Sequence, residues 1–216
     1  FPPSFSMFEH LQSLRISQAS QLPPEIFQIS SLRHLQVNYC SIEVVPKALV
    51  QLSNLETLDL GENGRSLKRI DADLSLLPKL RLLRIKASTG LKEIPGECDS
   101  VELDRNQWTT LHDCLLAKER LQTLIMNEKT YTLTPNIRVA LARRLQFDEE
   151  IAALKQSELY RSLKKEGGLQ RRRDFFTLYQ PGTKAYAYRR SIKRIWRRCA
   201  NVQLFNEEVL AIHWLG

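Results

Sequence analysis

Apolar side chains recur along the first 126 residues in one six-residue block, L-x-x-L-x-L, with polar residues between them. The blocks are LQSLRI from Leu11, LRHLQV from Leu32, LETLDL from Leu55, LRLLRI from Leu80, the weaker CDSVEL from Cys98 and LQTLIM from Leu121. Their starts are separated by 21, 23, 25, 18 and 23 residues. Self-similarity at a fixed period of this size marks a chain built from stacked, similar units. Apolar and polar positions alternate at the end of each block, the pattern of a short strand with one face on a core and one toward solvent. Six short, parallel strands are therefore predicted.

Between blocks the chain reads apolar-Pro-x-x-apolar, as in Leu22-Pro23-Pro24-Glu25-Ile26 and Val45-Pro46-Lys47-Ala48-Leu49, which predicts a compact return segment on the far side of the strands. Position nine after each start, where Asn or Cys can bond neighbouring backbone, holds Cys40, Asn63 and Asn106, but also Ala19, Ser88 and Lys129. Phe1-Pro2-Pro3-Ser4-Phe5 has the same phase as Val45-Pro46-Lys47-Ala48-Leu49. Residue 1 is thus expected to lie inside a repeat, with further repeats or a cap before it, because a stack of repeats needs a polar cover at its end.

The pattern over residues 1–135 resembles the leucine-rich-repeat superfamily, whose repeats run to roughly 20 to 29 residues. LPPEIFQISSLRHLQV and VPKALVQLSNLETLDL are similar to cytosolic repeats of plant immune receptors and bacterial effectors. LKEIPGECDSVELDRNQWTTL is similar to the LPX-type repeats of effectors that bacteria inject into host cells. The resemblance implies an α/β leucine-rich-repeat solenoid with a parallel-strand concave face, working in the cytoplasm, or secreted by a bacterium into the host cytosol. It also implies that a protein target docks on that face. The fifth-position column reads Arg15, Gln36, Asp59, Arg84, Glu102, Ile125, and the seventh Ser17, Asn38, Gly61, Lys86, Asp104, Asn127. Mixed charge suits a protein mosaic better than a nucleic-acid backbone, which calls for a basic stripe. The partner-binding set is Arg15, Gln36, Asn38, Tyr39, Asp59, Arg84, Lys86, Glu102, Asp104 and Asn127. Taken singly, each is equally readable as a solvated strand residue.

Beyond Pro135 the period disappears and helical patterns begin with NIRVALARRLQF. Asp148 is expected to cap a further helix that Gly167 and Gly168 stop. After Pro181-Gly182, Tyr188, Ile192, Ile195, Cys199 and Val202 recur at helical steps; this stripe is expected to cover the end of the last repeat. Charge is divided sharply. Residues 1–135 hold 15 Lys/Arg against 16 Asp/Glu, and residues 136–216 hold 17 against 8, so the whole net charge of +8 is C-terminal. Arg171, Arg172, Arg173, Arg190, Lys193, Arg194 and Arg197 form a basic set that can bind RNA, DNA or anionic lipid, or stand as a solvated face of the cap. Residues 136–216 are accordingly read as a small, basic, mostly helical domain or cap.

Candidate catalysis is thin. Cys40, Cys98, Cys114 and Cys199 form no CxxC pair and have no histidine at zinc-ligand spacing, so no metal or cofactor is expected. Buried free thiols in a reducing compartment are the simpler reading. His10, His34, His112 and His213 fall in separate segments, with His34 on the concave side, and GxxxxGK[ST], GxSxG and HExxH motifs are absent. LPX-type effectors often end in a ubiquitin ligase with a catalytic Cys-x-Asp. Here no cysteine has Asp two residues later, and 81 residues are few for that domain. A cysteine-independent ligase stays open as the alternative to an interaction module. Charged residues interrupt every apolar stretch well short of the roughly 18 to 20 that cross a membrane.

Overall fold

The computed structural model describes residues 8–156 and Ser191. The chain divides between Thr134 and Pro135 into two compact units. The first contains strands β1 (Ser13–Ser17), β2 (His34–Asn38), β3 (Val44–Val45), β4 (Thr57–Asp59), β5 (Arg69–Ile70), β6 (Leu82–Arg84), β7 (Ser100–Glu102), β8 (Thr123–Met126) and β9 (Lys129–Thr132), with helix α1 (Arg105–Leu116) before β8. Each leucine block supplies one strand, and each of those strands begins at the third residue of its block. They form a seven-stranded sheet in the order β1-β2-β4-β6-β7-β8-β9, with β3 and β5 paired separately. All pairs are parallel except β8 with β9, so the protein is mixed α/β with a mostly parallel sheet.

Burial follows the blocks. Leu32, Leu35 and Val37, Leu55, Leu58 and Leu60, Leu80, Leu83 and Ile85, and Leu121, Leu124 and Met126 are all buried, as are Cys98, Val101 and Leu103 of the weak block. Each fully buried leucine contributes about 1.5 to 3 kcal/mol relative to exposure. The first returns are tight 3₁₀ turns at Pro24–Gln28, Lys47–Gln51 and Leu74–Leu76, which bury Ile26, Leu49 and Leu74. Pro23 and Pro46 stand just before the first two, their φ already fixed by the ring.

Position nine becomes a hydrogen-bonded ladder across three repeats. Asn63 Nδ2 donates to Val37 O at 2.7 Å and Leu60 O at 2.8 Å, while Asn63 Oδ1 accepts from the Cys40 amide at 2.8 Å. Ser88 joins the ladder as well. Its hydroxyl donates to Leu60 O at 2.6 Å and accepts from the Asn63 amide at 3.2 Å. The Cys40 sulfur lies 3.3 Å from Asn38 O.

Asn106 does not take part. It is exposed and sits in the first turn of α1, a helix where the period predicted another ladder position. The reason is local: Asp104 Oδ1 accepts from the Asn106 and Gln107 amides at 2.8 and 3.2 Å, and Gln107 Oε1 accepts from the Asp104 amide at 3.0 Å. This reciprocal cap satisfies amides that would otherwise be orphaned. Gln107, Trp108, Leu111 and Leu115 then form the buried face of the helix. Lys118, buried just after it, donates from Nζ to Ile94 O at 2.7 Å and to Gly96 O, tying the preceding loop to the end of the helix. Gly96 has φ +74°, and a Cβ there would collide with Asp73 and the backbone of Leu74 and Ser75.

Lys129 likewise leaves the ladder, because β8 turns back into β9. Asn127 and Glu128, with φ of 49° and 64°, make the two-residue hairpin turn whose twist matches that of the strands. The open edge of β8, expected to be covered by the helical tail, is paired instead by β9. In the second unit, α2 (Pro135–Gln156) runs without interruption through Asp148, which therefore does not cap a new helix. Nothing between Pro135 and Gln156 breaks the helix: the span holds no Gly and no further Pro. Gly167, Gly168, the 188–202 stripe and the arginine clusters lie outside the described residues.

Candidate functional site

The open face of the sheet carries the alternate residues of each strand. Register places Arg15 beside Gln36, Gln36 beside Asp59, Asp59 beside Arg84, Arg84 beside Glu102 and Glu102 beside Ile125. Ser13, His34, Thr57, Leu82, Ser100 and Thr123 form a parallel column two residues earlier. Pairing beyond this column continues as Ser17 with Asn38, and the Glu62 amide donates to Lys86 O at 2.8 Å.

Eight of the ten expected binding residues meet in one depression of about 190 Å³: Arg15, Gln36, Asn38, Tyr39, Asp59, Arg84, Lys86 and Glu102. Asp104 and Asn127 do not line it. Asp104 is committed to capping α1, and its Oδ2 also accepts from the Ala87 amide at 3.0 Å. Asn127 belongs to the β8–β9 turn.

Two lining residues, Gly61 and Glu62, were not in the expected set. Gly61 stood in the seventh-position column as an absent side chain. Glu62 and Tyr39 share the eighth position of the repeat, as do Gln18, Ala87 and Glu128, and all five have φ between 53° and 64°. The positive φ turns the chain out of the strand at the same point each time, which leaves Tyr39 61% exposed. Its backbone is held at both ends, the amide donating to Glu62 O and the carbonyl accepting from Gln18.

Charge in the depression is partly spent internally. Arg84 Nε pairs with Glu102 Oε2 at 2.8 Å. Asp59 Oδ1 accepts from Asn38 Nδ2 at 3.1 Å and from the Gly61 amide at 3.0 Å. Asn38, only 4% exposed, also donates to Gly61 O at 2.9 Å, whereas its Oδ1 is buried without a partner. Arg15, Glu62 and Lys86 form no ion pair among the described residues.

Elsewhere, Cys40, Cys98 and Cys114 are free thiols, and Cys199 lies outside the described residues. Burial pushes the Cys98 thiol up to about 12 and raises that of Cys114. His112 lies on α1, edge-on to Trp108 with ring centroids 6.1 Å apart, and its Nδ1 is 2.9 Å from Asp113 Oδ1. His10 and His34 are exposed. Among the described residues no group of three or more His, Cys, Asp or Glu could hold a metal ion, and no helix is long and apolar enough to cross a membrane. Compared with known proteins, the chain matches no family model and no curated protein.

Proposed function

We propose that this chain is a leucine-rich-repeat interaction module whose open sheet face, concave in a solenoid of such repeats, selects a protein target. The observation that carries the reading is the gathering of eight polar, charged and aromatic side chains from β1 to β7 into one depression. Both signs of charge occur there, and an exposed tyrosine stands among them. Such a mosaic complements the surface of a protein. The likeness of the loop and strand at 91–111 to LPX-type repeats supports a bacterial effector that meets its target in the cytosol of a host cell.

The test uses the internal pair on the face. Exchanging its members, Arg84→Glu with Glu102→Arg, keeps an ion pair between β6 and β7 and so keeps the fold, while inverting the charges a partner meets. Immobilised wild-type chain should retain a specific protein from host-cell lysate, and the exchanged chain should retain several-fold less of it. Equal retention by both would move the binding surface off this face.

A further inference from the structure

The depression has a floor because residue 61 is glycine, and the backbone there does not require one. Gly61 is absent from the positions with positive φ, so an L side chain is conformationally acceptable. Space is what a side chain would take. A Cβ at Gly61 would lie 3.1 Å from Lys86 O, 3.2 Å from Asp59 Oδ1 and 3.4 Å from Asn38 Nδ2. The missing side chain opens a dent between Asn38 and Asp59 on one side and Lys86 on the other.

The polar groups around that dent are mainly acceptors. Asn38 is more than nine-tenths buried, and its Oδ1 has no hydrogen-bond partner. Such an orphan acceptor costs about 1 to 3 kcal/mol until a donor reaches it. Asp59 uses one carboxylate oxygen on Asn38 and Gly61 and has no recorded bond at the other. Counting charges that are not already paired, Asp59 and Glu62 face Lys86, leaving one negative charge in excess. Arg84 is spent on Glu102. Arg15 stands two strands from Asp59, about 10 Å at the usual strand spacing. Tyr39, lining the same depression, offers an exposed ring face of the kind that stacks on a planar cation.

We infer that the dent above Gly61 is a socket for one arginine side chain of the protein partner. A forked, planar donor can address the second Asp59 oxygen and Asn38 Oδ1 together, and it balances the local charge. The inference rests on the reading of this face as the binding surface.

The full-length chain is titrated with N-acetyl-arginine amide while the Gly61 backbone amide and Asn38 side-chain amide are followed by NMR. The arginine probe should shift both signals saturably. N-acetyl-citrulline amide, with the same shape and no charge, should bind at least about tenfold more weakly, the equivalent of losing one charged hydrogen bond. Gly61→Val should fill the socket and abolish the response. Asp59→Asn keeps Oδ1 for Asn38 and Gly61 and should weaken binding by a similar tenfold or more. No shift with the arginine probe, or equal binding of N-acetyl-glutamate amide, would overturn the socket. If the probe fails while the Arg84/Glu102 exchange still weakens capture, only the socket falls. If the probe binds while the exchange leaves capture intact, the wider reading falls and the socket stands.

Discussion

The two halves of the sheet follow the same leucine period but are held together differently. From β1 to β6, returns are short 3₁₀ turns, and position nine makes the Cys40, Asn63 and Ser88 ladder. From β7 onward the return is a 12-residue helix, position nine is an exposed asparagine, and the sheet closes with an antiparallel hairpin. Four capping atoms at Asp104 and Gln107 outweigh a periodic preference that rests on one side chain. The difference shows that a repeat period sets where strands fall and leaves the intervening segment to local signals. It also explains the functional asymmetry, since the face residues gathered in the depression all precede the helix.

Deleting the ladder should produce the largest effect. Asn63→Ala would leave Val37 O and the Cys40 amide buried without partners, at about 1 to 3 kcal/mol each, for a loss of roughly 2 to 4 kcal/mol in urea denaturation. Removing the helix cap by Asp104→Ala should cost about 1 to 2 kcal/mol, with Asp104→Asn recovering most of it. Asn106→Ala, at the equivalent period position but outside the ladder, should change stability by less than about 0.5 kcal/mol. Comparable losses from Asn63→Ala and Asn106→Ala would erase the distinction between the halves.

Much of the first half was legible in sequence. The strands, their parallel order and their register follow from leucines that must all reach one core, because a one-residue slip would turn every strand inside out. Ser88 was less legible: it departs from the Asn or Cys preference, yet its hydroxyl reaches the same Leu60 carbonyl that Asn63 uses. The helix had a readable signature that the period masked. Asp104 precedes Gln107 by three residues, Trp108, Leu111 and Leu115 follow at helical spacing, and no Pro or Gly occurs between Gly96 and Pro135. The hairpin was harder, since Asn127-Glu128 lacks the glycine that usually announces a turn with two positive φ values. Gly61 and Glu62 escaped for another reason. A socket made by an absent side chain and by a residue at a strand end is a property of neighbours 20 or more residues away, and no local pattern records it.

The claim that the gathered face of the first half binds the partner, and that the second half's period-equivalent residues do not, is tested most directly with two matched glycine substitutions. Tyr39 and Asn127 both have positive φ, so Tyr39→Gly and Asn127→Gly remove side chains without straining the backbone. With the captured partner, Tyr39→Gly is predicted to raise Kd by roughly thirtyfold, the equivalent of about 2 kcal/mol for an interface tyrosine, while Asn127→Gly leaves Kd unchanged. An unchanged Kd for Tyr39→Gly together with a weakened Asn127→Gly would contradict it.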